Sequence, residues 1–203
     1  EATFNAGVIG TSFNGIPFYS GDTGSIYTHD VSGTDSTAVS NTAFGITAMD
    51  AITTGDDNTA VGHNAMTTQT TGARNTALGH DALHSNTTSD DNTALGMAAM
   101  YTNTTGANNT AVGMYALHHN ATADLSTAVG FKALEDNVGT SNTALGANSG
   151  LQNTTGAYNT ALGTDSLRDN TTGDFNVALG RAALQSNTTA DGNTAIGRNA
   201  MYS

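Results

Sequence analysis

The chain contains no cysteine and no tryptophan, a single proline, and only five cations among 203 residues. Without cysteine it can form no disulfide, no thiolate metal site and no thiol nucleophile. The five cations stand against 17 acidic residues, which gives a formal net charge of −12. Nucleic acids and anionic membrane surfaces are bound by clustered Lys and Arg, so neither is expected as a partner.

Long apolar runs are also missing. No stretch of 18 apolar residues occurs, so we expect no membrane insertion. The chain starts at Glu1 without a signal-peptide pattern, which predicts either a removed leader or a piece of a longer protein. Charged residues make up 11% of the chain, so its polar surface is expected to consist mainly of Asn, Thr, Ser and Gly.

One phrase, with the consensus Asn-Thr-Ala-(Leu/Val)-Gly, recurs ten times along the chain, six times without change. Its closing glycines lie 17 residues apart, except for one interval of 16, and they are Gly45, Gly62, Gly79, Gly96, Gly113, Gly130, Gly146, Gly163, Gly180 and Gly197. Repeats built from two helices need roughly 33 to 47 residues. The short period therefore predicts an all-β fold, a parallel β-solenoid of about ten coils. Residues 41–203 are the predicted repeat domain, and residues 1–40 a predicted N-terminal cap or inter-subunit connector.

Within each coil, numbered from the first Asn, small and large apolar residues alternate. Position three is always Ala, and position four is always large and apolar. Because neighbouring strand residues point to opposite faces, these positions predict a strand that is apolar on both sides. Positions eight and nine, Ala or Ser followed mostly by Met or Leu, predict a second such strand. Where Gly150 interrupts position nine, Leu151 is expected to replace the missing side chain.

A thin coil has one interior, so a second apolar row needs cover from elsewhere. Each side chain left exposed would forgo roughly 1.5–3 kcal/mol of burial, and the row would exceed the apolar patches of soluble monomers. Another copy of the same chain is the simplest partner that could bury this row, which predicts a homo-oligomer with closed symmetry. The candidate interface residues occupy position four: Val61, Leu78, Leu95, Val112, Val129, Leu145, Leu162, Leu179 and Ile196.

Glycine and asparagine recur at fixed places in the coil. Gly at position five follows the first strand, where a turn predicts either a positive φ or a close approach of two backbones. Asn recurs at positions one and twelve. We expect these amides to hydrogen-bond to one another along the rod, as they do in other stacked parallel strands.

Candidate chemical groups are sparse. His80 and His84 are four residues apart, but the repeat predicts a strand and a turn there rather than a helix face. His118 and His119 are expected to be solvated, and the acidic pairs at 56–57 and 90–91 occur in only two coils, unlike the acids of calcium-binding solenoids. No Ser/His/Asp arrangement or phosphate loop is present. We therefore predict no enzyme activity and no catalytic, cofactor-binding or metal-binding residue.

The phrases at residues 75–79 and 109–113 resemble the Asn-Ser-Val-Ala-Ile-Gly phrase of trimeric autotransporter adhesin heads. The longer form, with Ala-Leu and Asn-Thr-Thr-Gly, is similar to repeats of phage tail fibres. The resemblance covers residues 41–203. It implies a left-handed β-roll, three chains around a threefold axis, and attachment to a host-surface receptor or glycan. It also implies an extracellular location, on a cell surface or a virion.

Residues 1–35 depart from the repeat and hold five of the twelve aromatic residues. They predict either a cap on the first coil or an apolar connector to a neighbouring subunit, with Phe4, Val8, Ile9, Phe13 and Phe18 as the candidate connector residues. The chain stops partway round its last coil, where an open strand edge invites pairing. Together these features define an alternative function, a self-assembling extracellular filament joined head to tail.

The leading expectation is a non-enzymatic extracellular structural or adhesive β-solenoid that forms a rigid fibre or mediates attachment. A further alternative is an ice- or glycan-binding solenoid that uses its files of Thr. Ice binding needs a flat, wide array of outward Thr. The position-two file, which includes Thr76 and Thr93, is expected to share its side with the large apolar residues, and this argues against a free ice-binding face.

Overall fold

The computed structural model describes residues 37–202 and four short strands before them, Ser12–Phe13 (β1), Ile16–Pro17 (β2), Tyr19–Ser20 (β3) and Ile26–Tyr27 (β4). For β1 to β3 only the backbone is described. The candidate connector residues Phe4, Val8, Ile9 and Phe18 lie outside the described residues, as does the side chain of Phe13. The connector therefore stays a prediction.

Each repeat contributes one three-residue strand, at positions two to four. These strands, β5 to β14, are Thr42–Phe44, Thr59–Val61, Thr76–Leu78, Thr93–Leu95, Thr110–Val112, Thr127–Val129, Thr143–Leu145, Thr160–Leu162, Val177–Leu179 and Thr194–Ile196. Neighbouring strands are parallel and in register, position on position. The predicted all-β parallel solenoid of about ten coils is confirmed. In the described part of the chain no helix has the length and hydropathy to cross a membrane.

Strands β3 to β14 form one twelve-stranded sheet in chain order, and β1 pairs with β2 separately. Strand β3 is antiparallel to β4, and β4 runs parallel to β5 with Tyr27 paired to Ala43. Tyr27 is fully buried, in the file that Ala occupies in every later coil. Residues 37–40 already follow the coil pattern, since the amide of Asp57 donates to the carbonyl of Val39 as later residues at position seventeen do.

The 16-residue coil keeps the register of its neighbours. Ala128 pairs with Ala144, and Val129 pairs with Leu145. The missing residue falls in the turn after position twelve, where the amide of Val138 still donates to the next coil, at Thr154. A deletion in that turn leaves the strand ladder intact because the hydrogen bonds on either side of it fix the stacking.

Positions eight and nine do not form a strand. Ala82 and Leu83 are both fully buried, and the same holds for this pair in most coils. The reason is the backbone: Asp81 and Leu83 have φ values of +58° and +52°, and left-handed residues recur at positions seven and nine of every coil. Two such residues around position eight curl the chain, so that consecutive side chains both point inward. The predicted second strand with alternating faces is wrong.

Gly150 occupies position nine with φ of +60°, in the same left-handed region as its Leu and Met counterparts at +47° to +55°. Leu151 follows at position ten, in a half-buried place on the coil surface. The expectation that Leu151 replaces the missing core side chain is therefore wrong. The interior of the solenoid consists of Ala at position three, Ala or Ser at position eight, and Met or Leu at position nine.

Asparagines line the remaining part of the interior. At position twelve the side-chain amide of Asn170 donates to Oδ1 of Asn153 over 2.7 Å, and Asn187 donates to Asn170 over 2.8 Å. The predicted amide ladder is confirmed here. At position one the arrangement differs, because Oδ1 of each Asn mainly accepts the backbone N–H of the next coil, as from Asn75 to Asn58 at 2.9 Å. Both ladders supply buried polar groups with partners.

Candidate functional site

The outer face of the long sheet carries the position-four row. Each strand turns its Ala inward and its first and third residues outward. Leu78 is 46% exposed, Leu95 41% and Ile196 68%, and the remaining predicted interface residues are exposed or half-buried. All nine predicted residues therefore lie in one row on one face of the chain. Their role as an interface stays a prediction.

Further apolar side chains widen this face. At position six, just after the turn glycine, Ile46, Met97, Met114 and Phe131 are exposed. On the other side of the strands, at position seventeen, Tyr158 and Phe175 stack with ring centroids 5.0 Å apart, and Leu125 lies exposed in the same file. Neither flanking file is among the residues predicted from the sequence, although the members of each file stand one repeat period apart along the chain.

The Thr file at position two shares this outer face, as expected. Thr76 and Thr93 are exposed beside Leu78 and Leu95. One Thr file next to an apolar file is not the wide Thr array that ice binding needs. The arrangement suits burial against a protein surface better, because a threonine methyl and a leucine can both be covered without leaving a charge unpaired.

Charged residues cluster at the turns rather than on the strands. The Arg74 guanidinium binds Asp91 at 2.6 Å and Asp90 at 3.2 Å. The hydrogen bond from Arg74 lowers the pKa of the exposed Asp91 carboxyl below its ordinary value. In the last full coils, Arg168 binds Asp169 at 2.7 Å. These pairs lie in solvent, where ion pairs add little to stability.

The aspartates at position sixteen accept hydrogen bonds from the backbone. Oδ1 of Asp90 accepts the backbone N–H of Ala73, and Oδ1 of Asp174 accepts that of Ala157, each from the preceding coil. Asp56 and Asp124 bind backbone amides in the same way. The acidic pairs at 56–57 and 90–91 therefore include one carboxylate that already caps a turn.

The histidines group by coil position rather than by sequence neighbourhood. His80 stacks on His63 from the preceding coil, with ring centroids 5.1 Å apart. His84 instead stacks on Tyr101 at 4.8 Å. His118, one coil further along that file, stacks on Tyr101 at 5.3 Å. His80 and His84 are therefore close in sequence but lie in different files, because the spacing that brings side chains together is one full coil.

Nδ1 of His119 binds Oδ1 of Asp136 at 2.7 Å, so this histidine has a carboxylate partner one coil away. A closer group forms around His80, whose Nδ1 lies 2.9 Å from Oδ2 of Asp81. Ligand atoms of His63, His80 and Asp81 all lie within 4.8 Å of one another. Among the described residues this is the one group of three such side chains that could hold a metal ion.

No protein-family model, curated protein or solved structure matches this chain. The likeness of its phrases to adhesin heads and tail fibres therefore stays a matter of resemblance. What the structure itself establishes is a β-solenoid repeat protein whose outer face carries an apolar row beside a row of Thr.

Proposed function

We propose that this chain is a non-enzymatic structural protein that assembles as a homotrimer through the outer face of its sheet. It serves outside the cell, on a cell surface or a virion, as a rigid fibre or an adhesive head. The observation that carries the proposal is the exposed position-four row, which continues without a gap through ten coils. A row of this kind is what a partner surface would cover.

The energetics favour covering the row. At a strand spacing of about 4.8 Å, ten coils extend over roughly 48 Å. Full burial of one Leu, Val or Ile side chain contributes roughly 1.5–3 kcal/mol, of which the half-exposed residues here have realised only a part. Positions two to four contain no charged residue in any coil. Covering these three strand positions therefore desolvates no charged side chain.

The number of chains in the proposed oligomer, three rather than two, is taken from the resemblance to trimeric adhesin heads. Closed symmetry fits a face that is identical on each copy. The proposed extracellular role rests on the same resemblance to adhesin heads. Rigidity is supported by the coil-to-coil hydrogen bonds of the backbone and by the two Asn ladders, which tie each coil to both neighbours.

A non-enzymatic role is supported by the tasks that the polar groups already have. Five position-sixteen carboxylates, such as those of Asp90 and Asp174, accept hydrogen bonds from backbone amides, and the buried asparagines are joined to one another. Such groups stabilise the coil rather than await a substrate.

Sedimentation equilibrium at micromolar chain concentration tests the assembly. The expected mass is about three times the chain mass of 20.5 kDa. A stable monomer would overturn the proposal, whereas a dimer would refute the threefold axis alone.

Negative-stain images should show short rods. Labelling of intact source cells or virions with an antibody should show the chain at the surface, and signal only after lysis would contradict the location.

A further inference from the structure

Two imidazoles and a carboxylate meet on the surface of the second and third coils. His63 and His80 occupy position six of neighbouring coils, and Asp81 follows His80 directly. One ligand atom from each of the three lies within 4.8 Å of the others, and His80 Nδ1 is 2.9 Å from Asp81 Oδ2. We propose that His63, His80 and Asp81 bind one divalent transition-metal ion, with Zn²⁺ as the probe for this class of ion.

The donor set matches this class of ion. Imidazole nitrogen and carboxylate oxygen are ordinary ligands of Zn²⁺, with bonds of about 2.0–2.2 Å. Tetrahedral coordination at those lengths separates the ligand atoms by about 3.3 Å. The His80–Asp81 pair is already closer than this. The exposed ring of His63 stacks on His80 and would have to turn out of that stack to bring a nitrogen to the same ion. Water completes the fourth position.

A neighbouring residue holds the carboxylate in place. Nδ2 of Asn64 donates to Oδ1 of Asp81 over 3.0 Å, and Oδ1 of Asn64 accepts a hydrogen bond from Oγ1 of Thr47. These contacts leave Oδ2 of Asp81 facing His80. Outer-shell hydrogen bonds of this kind orient metal ligands in proteins and strengthen binding.

The surroundings do not oppose a cation. Along the position-six file the His pair is followed on one side by Ile46 and on the other by Met97, neither of which is charged. The chain as a whole carries a formal net charge of −12. All three ligands come from one chain, and His63 and His80 lie in the position-six file that borders the face proposed to be covered in the trimer.

Zn²⁺ titration with a competing chromophoric chelator tests the site. The wild-type chain should bind one ion tightly, and His63→Ala, His80→Ala and Asp81→Asn should each weaken that binding by about tenfold or more. His119→Ala is the matched control, since it removes another exposed histidine that faces a carboxylate, Asp136. It should leave the tight site unchanged. Circular dichroism without metal should be the same for all four variants.

Histidine ring signals in NMR spectra provide a second readout. On addition of one equivalent of Zn²⁺, the signals of His63 and His80 should shift together, before those of His84, His118 and His119. Ca²⁺ at the same concentration should not shift them, because it prefers six or more oxygen ligands. Equal affinity in all variants, or a first shift at His119, would overturn the proposal.

Discussion

At position five, the backbone of one coil passes directly over the same glycine of the next coil. A Cβ added to Gly113 would lie 2.5 Å from the carbonyl oxygen of Gly130, and φ at Gly113 is +132°. Both the positive φ and the close backbone approach predicted from the sequence are present. No side chain larger than hydrogen fits such a contact.

Gly113→Ala should therefore destabilise the solenoid by about 2–5 kcal/mol, from backbone strain and from the clash with Gly130 together. Urea denaturation followed by circular dichroism measures the loss. Gly192→Ala is the matched control, since Gly192 has φ of +68° and nothing within 4 Å of the added Cβ. It should cost about 1–2 kcal/mol, from the left-handed backbone alone. Equal losses in the two variants would contradict the stacking argument.

Left-handed residues at positions seven and nine were not predictable from their own side chains. Leu83 and Met100 have φ of +52°, although leucine and methionine carry no preference for that region. One signal was available: Gly150 stands at position nine, where all other coils have Met or Leu. A glycine in a file of large residues indicates that the backbone there is one that glycine adopts easily.

At the scale of the coil, the position-one asparagines connect each coil to the next. Oδ1 of Asn109 accepts the backbone N–H of Ser126 over 2.8 Å, and Nδ2 of Asn109 donates to the carbonyl of Ala123, also over 2.8 Å. In the following coil Ser126 takes the same position, and its Oγ accepts from Asn142 over the longer distance of 3.3 Å. The chain thus contains its own comparison of Asn with Ser.

Asn109→Ala should cost about 1–3 kcal/mol, because the buried N–H of Ser126 loses its partner. Asn109→Ser should cost less, since a hydroxyl can still accept that hydrogen bond, as Ser126 does. Thermal denaturation ranks the two variants. Thr105→Ala, at an exposed turn position, is the control and should be nearly neutral. If Ala and Ser at position 109 proved equally costly, the ladder would not be the source of the stability.

Whole coils should be removable, whereas parts of coils should not. Deletion of residues 92–108 removes one full coil and brings Asp91 before Asn109, so that β7 pairs with β9 in the same register. The shortened chain should fold cooperatively with a modest loss of stability, since repeat stabilities add. Deletion of residues 92–99 removes the strand and the turn glycine of that coil and should abolish cooperative melting. A cooperative transition in the second variant would contradict the coil as the folding unit.

The period, a strand through positions three and four and the inward Ala could all be predicted from the sequence, because equal positions stack. The outward course of the position-four row followed from strand alternation at Ala94 and Leu95. Alternation failed at positions eight and nine, where the chain is not extended. The same repeat period predicts the contact of His63 with His80, but only when side chains one coil apart are compared instead of neighbours along the chain.

At the scale of the whole molecule, the outer face brings together three files that the strands place side by side. The position-four row is flanked by the apolar residues at position six and by the Tyr158–Phe175 stack at position seventeen. The ion pairs, such as Arg74 with Asp91, lie in the turns. The charged members of the position-seventeen file, Asp57, Arg74 and Asp91, border the row in the first coils, whereas strand positions two to four carry no charge in any coil. An uncharged centre with charged residues at its rim is the arrangement expected of a surface that another chain covers.

Sedimentation equilibrium of the double variant Leu95→Asp with Leu162→Asp tests this central claim most directly. Two carboxylates in the row would have to be buried unpaired in an oligomer, so the variant should sediment as a monomer of 20.5 kDa. Thr105→Asp with Thr172→Asp adds the same charge at exposed turn positions and should retain the wild-type mass. A double-Leu variant that keeps the wild-type oligomer mass would contradict the position-four interface.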